Sequence, residues 1–256
     1  MYRVFMGILI GETGLVGKQI LLSQDFEIKV HRPTLKKIEN ISTDLLVCAG
    51  LPAEKWLANK YHKEDWANIE TIVNSLEKVK AERAILISTI DVFQPAINVF
   101  DDSEVNQENN EPYGKHRAMF EVIFKSLFDN PLILRLPGLF SPRIKKNFVF
   151  DLLNSKNDYL TKVNPASEFQ FFDLTKIWPV INRALDLNLE FLNVTSEPIF
   201  AEKIANLFGI KLVGQDAPIK YNMKTKFSVE FGGSKGYIYT SEDILQGIQE
   251  LLKFKF

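Results

Sequence analysis

The segment Gly11-Glu12-Thr13-Gly14-Leu15-Val16-Gly17 begins where the apolar run ending at Ile10 stops. Glycines three residues apart, at the passage from a buried strand into a helix, leave few architectures open. A Cβ at the first would obstruct the tight turn, one at the second would hold the backbone away from a ligand, and the third lets helix and strand approach closely. N–H groups at such a turn, with the positive end of a helix dipole, favour an anion. Gly11, Gly14, Leu15, Val16 and Gly17 are therefore candidate contacts for a dinucleotide pyrophosphate. The alternative is a glycine-rich turn under an ordinary helix.

Beyond this turn, short apolar runs alternate with longer segments of helical period, the pattern of a parallel sheet covered by helices. Strands are expected at residues 4–10, 26–30, 44–49, 84–88 and 132–136, and helices at 16–22, 66–79 and 113–128. Right-handed crossovers would join them. The expected class is α/β, a Rossmann-type doubly wound parallel sheet, with residues 1–137 as the dinucleotide-binding core. After Pro137 the character changes to a basic loop at Arg143, Lys145 and Lys146 and an aromatic cluster at Phe169, Phe171 and Phe172. Residues 138–256 are expected to supply the remaining sheet elements and a small C-terminal substrate-binding lobe, packed with the first half as one unit. Helices are read at 174–185, 200–208 and 241–252, with a strand at 191–194. Thr240 and Ser241 offer capping hydroxyls to the last helix, and Glu242 and Asp243 suit its dipole. The glycines at 232, 233 and 236 read as a turn.

A chain of 256 residues that is 46% hydrophobic can bury one large core. Its net charge of -1 argues against a general nucleic-acid binder, which carries a basic face, so the expected partner is a small molecule. Cys48 is the single cysteine, which excludes a disulfide framework and a cysteine metal site and makes the cytoplasm the expected home. Residues 1–10, with Arg3 ahead of apolar residues, imitate a signal peptide, yet they run directly into the glycine turn and read better as a first strand. No apolar stretch is long enough to span a bilayer. His31, His62 and His116 lack the spacing of a metal-binding pair, so no metal site is expected and each histidine is placed at a surface or edge.

Four pieces in order resemble the extended short-chain dehydrogenase/reductase family, the nucleotide-sugar epimerases, dehydratases and reductases, over most of the chain. The first is the Gly11, Gly14, Gly17 turn. The second is Val47-Cys48-Ala49-Gly50, similar to the family's apolar strand ending under the adenine side of the cofactor, which makes Ala49 and Gly50 candidate cofactor contacts. The third is Ser88-Thr89-Ile90-Asp91-Val92-Phe93, like the strand end that holds the family's catalytic Ser or Thr, an alignment that selects Thr89. A hydroxyl capping a strand is the competing reading. The fourth is Pro112-Tyr113-Gly114-Lys115-His116-Arg117, like the family's P-Y-x-x-x-K at the start of a long helix.

The resemblance implies that Tyr113 exchanges a proton with the substrate, that Thr89 holds the substrate oxygen, and that the cation at position 117 binds the nicotinamide ribose. Residues four apart share a helix face, so Tyr113 and Arg117 can address one bound group. A nearby cation favours the phenolate of a tyrosine whose ordinary pKa is near 10. The family has lysine here; arginine keeps the charge and donates hydrogen bonds but cannot release a proton. Two readings follow, an enzyme with full redox chemistry and a Rossmann protein that binds nucleotide as a regulator or scaffold and catalyses poorly.

Cofactor choice is read at Val30-His31-Arg32, where an acidic residue would bond the ribose 2′-hydroxyl and a basic one would accept a 2′-phosphate. Arg32, assisted by Lys36 or Lys37, points to NADP, with NAD as the alternative and a plain surface cation as the competing reading. Leu134 to Pro142 resembles the segment leading into the family's substrate pocket, with Ser141 replacing a glycine. Lys146-Asn147-Phe148 resembles the opening of a substrate-side helix, so Arg143 and Asn147 are candidate substrate contacts; a solvated basic loop is equally open. A homodimer is a further implication, for which Met119, Val122, Ile123 and Leu127 offer apolar positions, although burial against the sheet is the favoured use of those residues.

Overall fold

Strand β1 (Gly7–Ile10) is buried at every position, as a strand covered on both faces must be. The computed structural model describes residues 7–105, 110–154 and 160–253, so positions 4–6 of the expected first strand lie outside the described residues. Helix α1 (Leu15–Ile20) follows the glycine turn and leads to the short β2 (Ile28–Val30). An eleven-residue crossover, 31–41, returns over β1 to β3 (Ser42–Cys48). This is close to the minimum for a parallel connection. It succeeds because residues 32–38 wind into a 3₁₀ helix that buries Leu35 and Ile38.

After β3 come α2 (Lys55–Lys60), α3 (His62–Leu76), β4 (Lys80–Thr89), β5 (Ile97–Val99), α4 (Pro112–Leu127), β6 (Pro131–Leu136), β7 (Gly138–Phe140), α5 (Phe148–Leu153), β8 (Glu168–Phe169), β9 (Phe171–Asp173), α6 (Ile177–Asp186) and β10 (Phe191–Asn193). The described chain closes with β11 (Ile199–Phe200), α7 (Ala201–Asn206), β12 (Asn222–Met223) and α8 (Ser241–Lys253). The main sheet has the order β10-β6-β4-β3-β1-β2, and β1 pairs in parallel with both β2 and β3, as β3 does with β4. The chain turns one way from β1 to β2 and the other way to β3, so the carboxyl ends of β1 and β3 flank a topological switch point, where open α/β sheets bind ligands.

Contacts group the chain into two compact units. One comprises residues 1–94, 104–135 and 177–192, the other residues 95–103, 136–176 and 193–256. In the first, Ile69, Ile72 and Leu76 of α3 and Phe120 and Phe124 of α4 close over Ile8, Leu46 and Leu86 of the sheet. Ile123 and Leu127 pack against this core, whereas Val122 is 61% exposed, so burial does not account for that position. Pro112 opens α4, where its fixed φ suits a first helical turn.

The second unit holds three two-stranded sheets, β7 with β9, β8 with β11, and β5 with β12. Phe140, Phe148, Phe169, Phe171, Ile204, Ile244 and Ile248 form its core. The aromatic cluster is thus packing rather than ligand surface. Thr240 and Asp243 cap α8 reciprocally, with Thr240 N–H donating to Asp243 Oδ2 at 2.8 Å and Asp243 N–H to Thr240 Oγ1 at 3.1 Å. Among the described residues, no helix is long and apolar enough to cross a membrane.

Several elements differ from expectation. Helix α3 starts at His62, four residues early, and α7 stops at Asn206. Helix α2 and strands β5, β7, β8, β9, β11 and β12 had no counterpart in the pattern, because elements that short show no hydrophobic period.

Candidate active site

Gly11 sits at φ +93°, and a Cβ there would lie 2.4 Å from Ala49 O. Gly11 N–H donates to Val30 O at 2.7 Å and Ala49 N–H to Ile10 O at 2.9 Å, so the turn is fastened between the ends of β2 and β3. A Cβ on Gly17 would lie 2.1 Å from Gly11 O. At Gly11 and Gly17 only bare backbone fits, and the turn brings Gly11, Gly14, Leu15, Val16, Gly17, Ala49 and Gly50 together at the carboxyl ends of β1 and β3. A cradle that a side chain would fill is what a pyrophosphate requires.

The end of β4 holds the remaining candidate residues. Thr89 is the last residue of β4, and its hydroxyl accepts from Asp91 N–H at 3.2 Å. It also lies near enough to the Tyr113 phenol to favour its ionised form. Tyr113 stands in the first turn of α4, and its backbone N–H donates to Asn59 Oδ1 at 2.9 Å. Asn59 Nδ2 donates in turn to Glu111 Oε2 at 2.7 Å, and Lys55, one turn earlier on α2, pairs with Asp91 at 2.8 Å. Helix α2 therefore seals the start of α4. Burial pushes the Tyr113 phenol above its ordinary value; the Arg117 charge, the nearby Thr89 hydroxyl and the Lys55 charge offset part of that rise, and the Asp91 carboxylate adds to it.

Arg117 occupies the expected face, one turn from Tyr113, with its guanidinium carbon 4.0 Å from the centre of the Tyr113 ring. It is 1% exposed. Its Nη1 donates to Asp65 Oδ2 at 2.5 Å and to Tyr113 O at 3.2 Å, and its Nη2 to Asp65 Oδ1 at 2.9 Å and Pro52 O at 2.6 Å. The cation lies beneath the ring and is neutralised there. His116 Nδ1–H donates to the same Asp65 carboxylate at 2.8 Å, with a side chain only 12% exposed, so His116 belongs to a buried cluster and not to the surface. Burial alone would raise the Asp65 carboxyl, but hydrogen bonds and charge from Arg117 and His116 outweigh it and hold the group below its ordinary 3.8. Asp65 and Asn59 escaped the sequence reading, since nothing in their neighbourhoods announces partners about fifty residues away.

Arg32 opens the 3₁₀ helix as an exposed residue, beside His31, whose Nδ1–H donates to Glu12 Oε1 at 2.6 Å. In the second unit Arg143 is exposed, while Asn147 caps α5, its Oδ1 accepting from Phe150 N–H at 3.1 Å and its Nδ2 donating to Leu139 O at 2.6 Å. Ser141 is buried. Among the described residues, no group of three or more His, Cys, Asp or Glu could hold a metal ion.

No protein-family model matches the chain, and no curated protein matches it by sequence. Solved structures do. dTDP-4-dehydrorhamnose reductase from Bacillus anthracis, in complex with NADP, superposes with a TM-score of 0.76 at 14% identity over 100% of both chains. MoeE5, in complex with UDP-glucuronic acid and NAD, gives 0.76 at 10% identity over 98% of this chain and 99% of its own. UDP-N-acetylglucosamine 4-epimerase from Bacillus cereus gives 0.68 at 12% identity, again over 98% and 99%. At such identities a likeness establishes architecture alone, and the chain has the Rossmann-type fold of the extended short-chain dehydrogenases/reductases.

Proposed function

We propose that the chain is a nicotinamide-dinucleotide-dependent oxidoreductase, epimerase or dehydratase acting on a nucleotide-linked sugar or a related hydroxyl compound. The observation that carries the reading is the placing of Thr89 at the end of β4 near the Tyr113 phenol, two strands from a glycine turn in which a Cβ at Gly11 or Gly17 would strike the backbone. The cradle fits a pyrophosphate, held by Gly11, Gly14, Leu15, Val16 and Gly17 with Ala49 and Gly50 closing it. The neighbours solved with NADP and NAD support that class of ligand.

When bound, the nicotinamide exchanges a hydride with a carbon bearing oxygen. Thr89 then holds that oxygen and Tyr113 exchanges its proton. A phenol pushed up by burial is protonated at neutral pH, which suits it to give a proton to a carbonyl oxygen as the hydride arrives, and so favours reduction. Arg117 keeps the ring in place from below. Arg143 is the candidate for the substrate diphosphate and Asn147 for a neighbouring contact through its capped helix.

A second reading is favoured by the closed Arg117–Asp65 pair. A cation whose two terminal nitrogens are engaged by Asp65 and by backbone carbonyls is poorly placed for a ribose contact, which suits a nucleotide-binding regulator or scaffold that turns over slowly. Incubation of the purified protein with NADH or NADPH and a panel of UDP- and dTDP-linked keto sugars separates the two. Consumption of the reduced cofactor supports a reductase, and conversion of UDP- or dTDP-linked hydroxyl sugars with no net consumption supports an epimerase or dehydratase; dinucleotide binding with neither supports the regulator, and absence of binding removes both.

A further inference from the structure

We propose that Glu12, within the glycine turn, reads the adenosine ribose and selects NAD over NADP; this rests on the nicotinamide-dinucleotide reading above. In many doubly wound proteins the residue that bonds the ribose 2′-hydroxyl is an acid at the end of the second strand. Here that end is Val30-His31-Arg32 and carries no acid. The carboxylate comes instead from the turn, reaching across to the same place, where His31 Nδ1–H donates to Glu12 Oε1 at 2.6 Å.

The arrangement is held on both sides. Glu12 directly follows Gly11, whose backbone is fastened to Val30 O. His31 is fixed by a reciprocal pair of hydrogen bonds with Thr34, its N–H donating to Thr34 Oγ1 at 3.1 Å and its carbonyl accepting from that hydroxyl at 3.1 Å. Strand β2 is the edge of the sheet, so no further strand flanks this end.

One oxygen of the carboxylate is then accounted for and the other is not. Glu12 Oε2 is enclosed and has no hydrogen-bond partner among the described residues, although the side chain as a whole is 19% exposed. A carboxylate oxygen beside the expected ribose site, lacking a donor, suits a hydroxyl, which supplies one. A 2′-phosphate brings only acceptors and a second negative charge to the same place, which is unfavourable. Arg32 is exposed on the 3₁₀ helix and has no such fixed partner among the described residues, so the built group is the acid and not the base. This reverses the preference that Arg32 suggests from sequence.

The test is a pair of equilibrium dissociation constants, for NAD and for NADP, measured on the whole chain by titration calorimetry. The wild-type chain is expected to bind NAD at least about tenfold more tightly than NADP, the scale of one hydrogen bond to a charged group. Glu12→Gln keeps the shape, removes the charge and should bring the two constants to within about threefold of each other. His31→Ala, which releases the carboxylate, should shift the ratio the same way. Equal or tighter binding of NADP by the wild-type chain overturns the proposal and leaves the dinucleotide reading standing, and so does a ratio that Glu12→Gln does not move. If neither dinucleotide binds, that reading falls and the proposal falls with it.

Discussion

Arg117 grips Asp65 with both ends of its guanidinium, at 2.5 and 2.9 Å, while lying 4.0 Å beneath the ring of Tyr113. The ion pair and the stacked ring form one buried assembly that joins α3 to α4. Asp65 therefore holds Arg117 in place by two hydrogen bonds, structural work that a lysine at that position could not do with one ammonium group.

Removing one partner of a buried pair strands the other. Asp65→Ala should lower the unfolding free energy by about 3–5 kcal/mol, and adding Arg117→Met should recover part of that loss because the stranded charge is gone. Urea unfolding of the two variants and the wild-type chain measures both quantities; a loss below about 1 kcal/mol would mean the pair is solvated. Since Asp65 is held below its ordinary 3.8, its contribution is present above that pH and is lost as pH falls through the lower folded value.

Tyr113→Phe retains the ring over Arg117 and removes only the hydroxyl. If the phenol is the proton donor, turnover should fall at least about 100-fold. The dissociation constant for the dinucleotide should stay unchanged. Steady-state rates together with direct binding measurements check this, and wild-type turnover in the variant would take the phenol out of the chemistry.

The cradle makes two glycine variants behave differently. In Gly17→Ala the new Cβ would meet Gly11 O at 2.1 Å, so the turn itself must break. In Gly14→Ala the nearest atom is Gly11 O at 3.2 Å and φ is -72°, which alanine accepts. Gly14→Ala should melt close to the wild-type temperature yet bind dinucleotide at least about tenfold more weakly, about 1.4 kcal/mol. Gly17→Ala should lose thermal stability as well. Calorimetric melting with and without NAD distinguishes the two.

Alkaline pH should unfold the chain through groups that burial keeps protonated. Burial pushes the Cys48 thiol from 9.0 up to about 12, and the Tyr239 phenol from 10.0 to about 12, the latter aided by Asp173 and Asp243. The unfolded chain releases these protons first. Stability is therefore complete below pH 9 and declines toward pH 12, by up to about 1.4 kcal/mol per pH unit for each group while it titrates only in the unfolded chain. Cys48→Ala should flatten the part of that decline that begins near pH 9, as followed by urea unfolding at several pH values.

Much of the architecture was legible before any coordinates. The run ending at Ile10, the spacing Gly11, Gly14, Gly17 and the alternation of apolar runs with helical segments place the turn and the doubly wound parallel sheet, whereas the order of its strands came from the structure. Thr240 with Asp243 foretells the start of α8. Each is local, since a turn that needs bare backbone, a buried strand or a capped helix end declares itself within a few residues. The pairing of Tyr113 with position 117 is legible for the same reason, as helical spacing alone puts them on one face.

What these side chains do was decided elsewhere in the chain. Asp65 sits fifty-two residues before Arg117, and only the packing of α3 on α4 brings that cation into a buried ion pair. Asn59 and Lys55 reach the same site from a helix too short to show a period. Glu12 faces His31 because β1 and β2 pair in parallel with Ile10 opposite Val30, which sets the residues that follow the two strands side by side. Local sequence fixes backbone shape through sterics and hydrogen bonding within a turn or two, whereas the charge state and availability of a side chain depend on burial and on partners that only the folded chain brings within a few ångströms.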